Sequence, residues 1–337
     1  MFNMNKFVTM MITTFLFFGS LTIFSTIGTC EKINGTTLYV GGTGEGNYSY
    51  IQDAINASSD GDTIFVYSGG HFENILINKS IELIGENKNT TIINGSGYGD
   101  VLYISADYVK ISGFNIQNSG YDAGIDIHSN YNSITNNIIT NNTYAGIYLQ
   151  NSDNNDINDN IISYNDEIGI VLMHSSNNNT ISGNTISNNP SGMKLHDANN
   201  NTFYENTIQN NIIGMDLWFT NNDNIIYHNN FINNYPAAED TGDNIWYNTT
   251  LKEGNYWTNY NGVDINGDGI GDSPYNISEG NNQDLYPLMT PYVSKTIQEF
   301  QVDEELLYRM LIVGLIAAIL FCLPVGYIWY RKRYKKK

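Results

Sequence analysis

The segment Asp264-Ile265-Asn266-Gly267-Asp268-Gly269-Ile270-Gly271-Asp272 is the sharpest chemical signal in the chain. Oxygen-bearing side chains stand at positions 1, 3, 5 and 9, with glycine at 6, as in the opening of an EF-hand-type calcium loop. Ile270, at position 7, would offer its backbone carbonyl. Position 12 is Tyr275, where such loops carry a bidentate Glu, so Glu279, Asp284 or water must complete the shell. Calcium is the cofactor this spacing predicts. An Asp/Gly turn without metal is the competing reading.

A second group is Met173, His174 and His196. One thioether and two imidazoles are donors suited to copper, if neighbouring turns of a repeat bring them together. A row of exposed polar side chains is the plainer alternative. His128 lies three repeats from His196, about 14 Å by strand spacing, too far to share an ion.

Carboxylates and aromatics make a third group. A glycosidase needs two carboxyl groups about 5–9.5 Å apart. Asp126 and Asp216 stand four repeats apart, so Asp197 and Asp216 are the expected pair. Tyr148, Lys194 and Trp218 fall on the same outward face and suit a sugar, the rings by stacking and the amine by hydrogen bonding. Trp246, Tyr256 and Trp257 are further candidates for stacking. The paired-Asp and Gly-His-Gly motifs of polygalacturonases are absent, and so is any arginine between Glu31 and Glu305.

All three groups depend on a repeat to position them. Gly124-Ile125, Gly146-Ile147, Gly169-Ile170, Gly192-Met193 and Gly214-Met215 recur every 22 or 23 residues, each opening a Gly-φ-x-φ segment with φ apolar. A second apolar column reads Ile111, Ile134, Ile157, Ile181, Phe203 and Ile225. A third reads Ile116, Ile139, Ile162, Ile186, Ile208 and Phe231. Three short strands per repeat, each alternating in and out, predict a parallel β-helix with 22–24 residues per coil. Four inward aliphatics per coil form its continuous core. Two Asn columns accompany them: Asn137, Asn160, Asn184, Asn206, Asn229 and Asn142, Asn165, Asn189, Asn211, Asn234. Asn tolerates left-handed corners, and stacked amides bond from coil to coil. A leucine-rich repeat fits less well, since the apolar residues are mostly Ile and no amphipathic helix recurs. Tyr50 to Asn56 reads as a short helix capping the open end.

The two ends point to a membrane. Residues 1–30 carry Lys6 and an apolar run from Phe7 to Gly28, a signal peptide or an uncleaved anchor. Met310 to Tyr330 is long and apolar enough to span a bilayer, and the basic tail 331–337 places its far side in the cytoplasm. The body, 31–290, is thus expected outside, joined to the span by a linker over 291–309. The stretch from Glu31 to Glu305 holds all 34 acidic residues of the chain and seven lysines, a charge of about −27 against −19 overall. Such a surface repels nucleic acid and acidic polysaccharide. Both cysteines, Cys30 and Cys322, lie outside this body, so no disulfide holds it. Eleven Asn-x-Ser/Thr sequons, among them Asn34, Asn78, Asn141, Asn178, Asn248 and Asn276, permit N-glycosylation.

The runs Ile51-Gln52-Asp53-Ala54-Ile55, Gly61-Asp62-Thr63-Ile64, His71-Phe72-Glu73-Asn74-Ile75 and Lys79-Ser80-Ile81-Glu82-Leu83-Ile84-Gly85 form one set. Together with Gly254-Asn255-Tyr256-Trp257 and Tyr286-Pro287-Leu288, they resemble the periplasmic copper-binding (NosD-type) β-helix family of the pectin-lyase-like superfamily. The resemblance covers roughly residues 38–290 and implies a right-handed, single-stranded β-helix. It also implies kinship with a repeat module associated with carbohydrate binding and sugar hydrolysis, and it names copper as a cofactor. The function expected is a membrane-anchored surface rod that binds glycan or a surface protein. A glycan-active enzyme and a copper-handling accessory protein are the alternatives.

Overall fold

The computed structural model describes residues 35–218 and 221–294. The signal segment, Asn34, the span expected at 310–330, the tail and most of the linker lie outside the described residues. Among those described, no helix is long and apolar enough to cross a membrane.

The described chain winds into three parallel sheets. Sheet I has ten strands, from Thr37–Val40 to Asp243–Ile245. Sheet II has eight, from Ile75–Ile77 to Ala238–Asp240. Sheet III has nine, from Gly69–Phe72 to Tyr256–Trp257. Successive strands of each sheet come from successive turns and pair in register, as Ile134↔Ile157 in sheet I and Ile139↔Ile162 in sheet III. This is the all-β parallel solenoid that the apolar columns predict, and it is longer than the six coils they mark.

Alternation of β-branched and polar residues sends one side of every strand inward. Ile147, Leu149, Ile157 and Ile162 of a single turn are all fully buried. Each such side chain contributes roughly 2 kcal/mol by burial. The glycine repeated in sheet II, Gly124, Gly146, Gly169, Gly192 and Gly214, has a packing reason. A Cβ on Gly169 would lie 2.5 Å from the carbonyl oxygen of Gly192 and 2.7 Å from Ile186 Cγ2, so only glycine lets these turns stack.

The Asn columns are buried ladders. Asn160 Oδ1 accepts both the backbone N–H and the Nδ2–H of Asn137, at 3.0 and 3.2 Å. Asn160 in turn makes the same two donations to Asn184. The second ladder repeats this from Asn142 to Asn234. The structure adds a third: Asn132, Asn155, Asn179, Asn201, Asn224 and Asn244. Backbone strain sits one residue earlier than the sequence suggests. Left-handed φ falls on Asn136, Asp159 and Glu205, before ladder residues, not on the ladder residues themselves. Ladder positions occupy the corners between sheets, and neighbouring ladders across sheets I and III stand five residues apart in every turn from Asn132 to Asn234.

One column needs correction. The inward residue after Phe203 is Ile226, fully buried and paired with it, while Ile225 faces out. On its other side, the strand Asn222–Tyr227 pairs irregularly with Asp243–Ile245 between Asn222 and Ile225.

Both ends are closed. Helix α1, Ile51–Ala57, buries Ile51, Ala54 and Ile55 across the first turns, as the sequence predicts for a cap. Glu73 accepts the N–H groups of Ile51 and Gln52 at its N-terminus, at 2.8 and 2.9 Å. Lys79 Nζ donates to the carbonyls of Ile55, Asn56 and Ser58 at its C-terminus. Charges of these signs stabilise the respective ends of a helix dipole. At the far end, Trp257 stacks between Phe231 at 4.3 Å and Tyr275 at 4.2 Å, with Trp246 beside it. Trp246 and Trp257 are therefore core residues, 0% and 1% exposed, and cannot stack on sugar. Their indole N–H groups donate to buried Asp240 and Asp284, at 2.7 and 2.9 Å.

Candidate functional site

Sheet II carries the outward residues singled out above. Register aligns Asp126, Tyr148, Val171, Lys194, Asp216 and Glu239 in one row. A parallel row holds Gln150, Met173, His196 and Trp218. Val171 is fully buried although it points outward. With Ala123, Ala145 and Ile168 it forms a small apolar pad under Tyr144, Tyr148 and Met173, a feature the repeat pattern does not show.

The C-terminal half of this face is a groove of about 580 Å³ lined by Trp218, Glu239, Thr241 and Glu279. Trp218 is 46% exposed, and Lys194 Nζ stands 5.5 Å from its ring centre. Lys194 Nζ also lies 3.7 Å from Asp216 Oδ2. Asp216 is 4% exposed, and its Oδ1 is buried with no hydrogen-bond partner among the described residues. Burial pushes its carboxyl up to about 6, and the Glu239 charge adds to this while Lys194 opposes it.

The expected pairing of Asp197 with Asp216 is not what the strands bring together. Asp197 follows the strand Ser191–His196 at a left-handed corner. The in-register neighbours of Asp216 are Lys194 and Glu239. Glu239 escaped the sequence pattern because its turn lacks the Gly-φ signal. Ala237 and Ala238 stand there, both buried.

Nearer the N-terminal end, Asp100, Tyr121, Asp122, Asp126, Tyr144 and Tyr148 surround a depression of about 330 Å³. Burial raises Asp100 to about 6, with the nearby Asp126 and Asp122 charges adding. Asp126 is raised chiefly by burial too, and its Oδ2 lies 3.0 Å from His128 Nε2. Tyr148 donates its hydroxyl to Met173 Sδ at 3.3 Å.

The metal expectations fare differently from the fold. The rings of His174 and His196 meet edge to face at 6.2 Å, and Met173 is engaged by Tyr148. Among the described residues no three His, Cys, Asp or Glu side chains converge on a point that could hold a metal. The donor set does not fit copper, which favours several nitrogen or sulfur ligands in one shell. The loop 264–272 does not support calcium. Asp264 accepts the N–H groups of Gly267, Asp268 and Gly269, Asn266 and Asp268 accept from Asp268 and Ile270, and Asp272 accepts from Ile265. Its oxygens brace the loop's own backbone. Tyr275, at the twelfth position, packs on Trp257 and leaves the loop without its closing ligand.

Of the sequons, Asn78, Asn141, Asn178 and Asn276 are exposed, and Asn248 is half-buried with its side chain accepting from Thr250 and Leu251.

With this geometry in view, pectate lyase Pel9A superposes with a TM-score of 0.51 at 16% identity, over 66% of this chain and 74% of its own. The Escherichia coli protein ybhc gives 0.43 at 11%, over 61% and 75%. The lacto-N-biosidase from Eubacterium ramulus gives 0.41 at 10%, over 62% and 60%. At such identities the likeness to the pectate lyase shows the fold alone. No curated protein matches in sequence. The sequence model of the periplasmic copper-binding protein (NosD) family matches residues 55–262. The chain belongs to that family.

Proposed function

We propose that this protein is a rigid rod held at the cell surface or in the periplasm, where it binds neutral glycan on the outer face of sheet II. One observation carries the reading. Trp218, 46% exposed, lines a groove with Glu239, Thr241 and Glu279, and Lys194 stands over its ring. An aromatic face against the C–H side of a sugar, ringed by polar groups for its hydroxyls, is how a concave site holds a saccharide. Glu239, Glu279 and Asp216 stand against one lysine, which disfavours uronates and sulfated sugars. The apolar run Met310 to Tyr330 supports anchoring, and the periplasmic placement named in the family's description agrees with an outside body. The copper named there finds no suitable donor set among the described residues, so no part of the proposal passes through it. A glycan array with the detergent-solubilised full chain tests the reading. Neutral glycans bind, and Trp218→Ala weakens binding about tenfold, roughly the stacking value of 1.4 kcal/mol. Equal binding by wild type and variant would rule this groove out.

A further inference from the structure

We propose that Asp216 and Glu239 act as a hydrolytic pair on the glycosidic bond of a neutral glycan seated against Trp218. The inference rests on the glycan reading above and adds a reaction to it. Register pairs the two residues on adjacent turns of sheet II. Adjacent parallel strands lie about 4.8 Å apart, a spacing from which two such side chains can reach the carboxyl separation of about 5–5.5 Å used by retaining glycosidases.

Their surroundings differ, as two carboxyl groups with different roles require. Asp216 is 4% exposed, and burial holds its carboxyl up to about 6, so it holds a proton for a leaving group into the mildly acidic range, well above an ordinary Asp. Its Oδ1 has no partner among the described residues, a costly arrangement for a purely structural carboxylate. Contrast Asp240 on the next turn, which is buried yet bonded by Gly242, Asn244 and Trp246. Glu239 is half-buried and lines the open groove, placed to meet an anomeric carbon.

The reaction balances with water as co-reactant. A Glu239 oxygen bonds to the anomeric carbon as the bond from that carbon to the leaving oxygen breaks. The bond's electron pair stays on the leaving oxygen, which takes the Asp216 proton. Water then attacks the anomeric carbon and gives a proton back to Asp216, and Glu239 departs as carboxylate. One glycoside and one water become a reducing sugar and an alcohol, with the anomeric configuration kept.

The test uses the full chain with laminarin, galactomannan, xylan and soluble starch. Reducing ends are assayed beside binding. At least one polymer is cut by wild type, and NMR shows the retained anomer first. Asp216→Asn and Glu239→Gln each lower the rate by at least 100-fold while binding stays within about threefold. In Glu239→Ala, sodium azide restores turnover and yields a glycosyl azide, which a structural role for Glu239 would not produce. Binding without release of reducing ends would overturn the inference and leave the glycan reading standing. Absence of binding to any polymer would sink both. Hydrolysis that survives in Asp216→Asn or Glu239→Gln would overturn the pair.

Discussion

Asn255 gives its backbone N–H to Asp284 Oδ2 at 2.7 Å, the bond that Asn229 makes to Asn255 and Asn206 to Asn229. Asp284 therefore occupies the next position of the ladder and ends it with a group that only accepts. The same carboxylate takes the N–H of Trp257 and, through Oδ1, that of Tyr286. Asp284→Ala strands three donors in the core. Each unsatisfied donor costs about 1–3 kcal/mol. Urea unfolding should move to a midpoint lower by at least 3 kcal/mol equivalent, with tryptophan emission altered before the transition.

Within the ladder the cost is similar but its origin differs. Asn160→Ala removes bonds to Asn137 and Ile134 on one side and to Asn184 on the other. A loss of about 2–5 kcal/mol is expected. Asn56→Ala, on the exposed face of helix α1, serves as the control and should change stability by less than about 0.5 kcal/mol. Equal effects would mean that the ladders contribute little beyond composition.

Gly169→Ala tests the stacking distance between turns. The added methyl meets the Gly192 carbonyl and Ile186, and the turns must separate to admit it. Overpacking of this kind costs about 1–3 kcal/mol. Thermal melting should fall accordingly, without loss of the β-sheet signal in circular dichroism.

The pH dependence of stability follows from Asp216. Its folded value, about 6, lies above the ordinary 3.8 because burial favours the neutral acid. The folded state holds this proton more tightly than the unfolded chain does. The stabilisation is fully present below about pH 4 and is lost as pH rises through 6. Asp100 shifts in the same direction, to about 6. Melting at pH 4.5 and pH 7.5 should show the higher temperature at the lower pH, after allowing for general charge repulsion. Asp216→Asn should remove on the order of 2–3 kcal/mol of that difference.

The fold was legible because burial repeats with the chain's own period. Ile139, Ile162 and Ile186 are inward for the same reason and align by counting alone. Counting failed at Ile225, where one extra residue enters the turn. The missed third ladder held the remedy, since Asn224 stands two before Ile226 as Asn201 stands two before Phe203. The site was less legible. Lys194, Asp216 and Trp218 follow from register, but Glu239 lies where alanines replace the Gly-φ pair, and Asp100 precedes its strand in a loop. Spacing alone also left the use of residues 264–272 open. Ligand positions in a sequence do not reveal that Tyr275 is drawn into an aromatic stack or that carboxylates serve their own backbone.

The five-residue step between ladders divides the molecule by tolerance to change. Asn132 to Asn137 to Asn142 keeps that step, and so does every later turn to Asn224, Asn229 and Asn234. From the end of one such triplet to the start of the next the count varies: Asn142 to Asn155, Asn165 to Asn179 and Asn189 to Asn201 span 13, 14 and 12 residues. Between Asn132 and Asn234, differences in turn length are thus confined to the arc containing sheet II. Over these turns two walls of the solenoid are metrically frozen, and the third varies in length without disturbing the ladder bonds. A lineage can therefore remodel the contour around Trp218 and Glu239 while inheriting the rest of the rod unaltered.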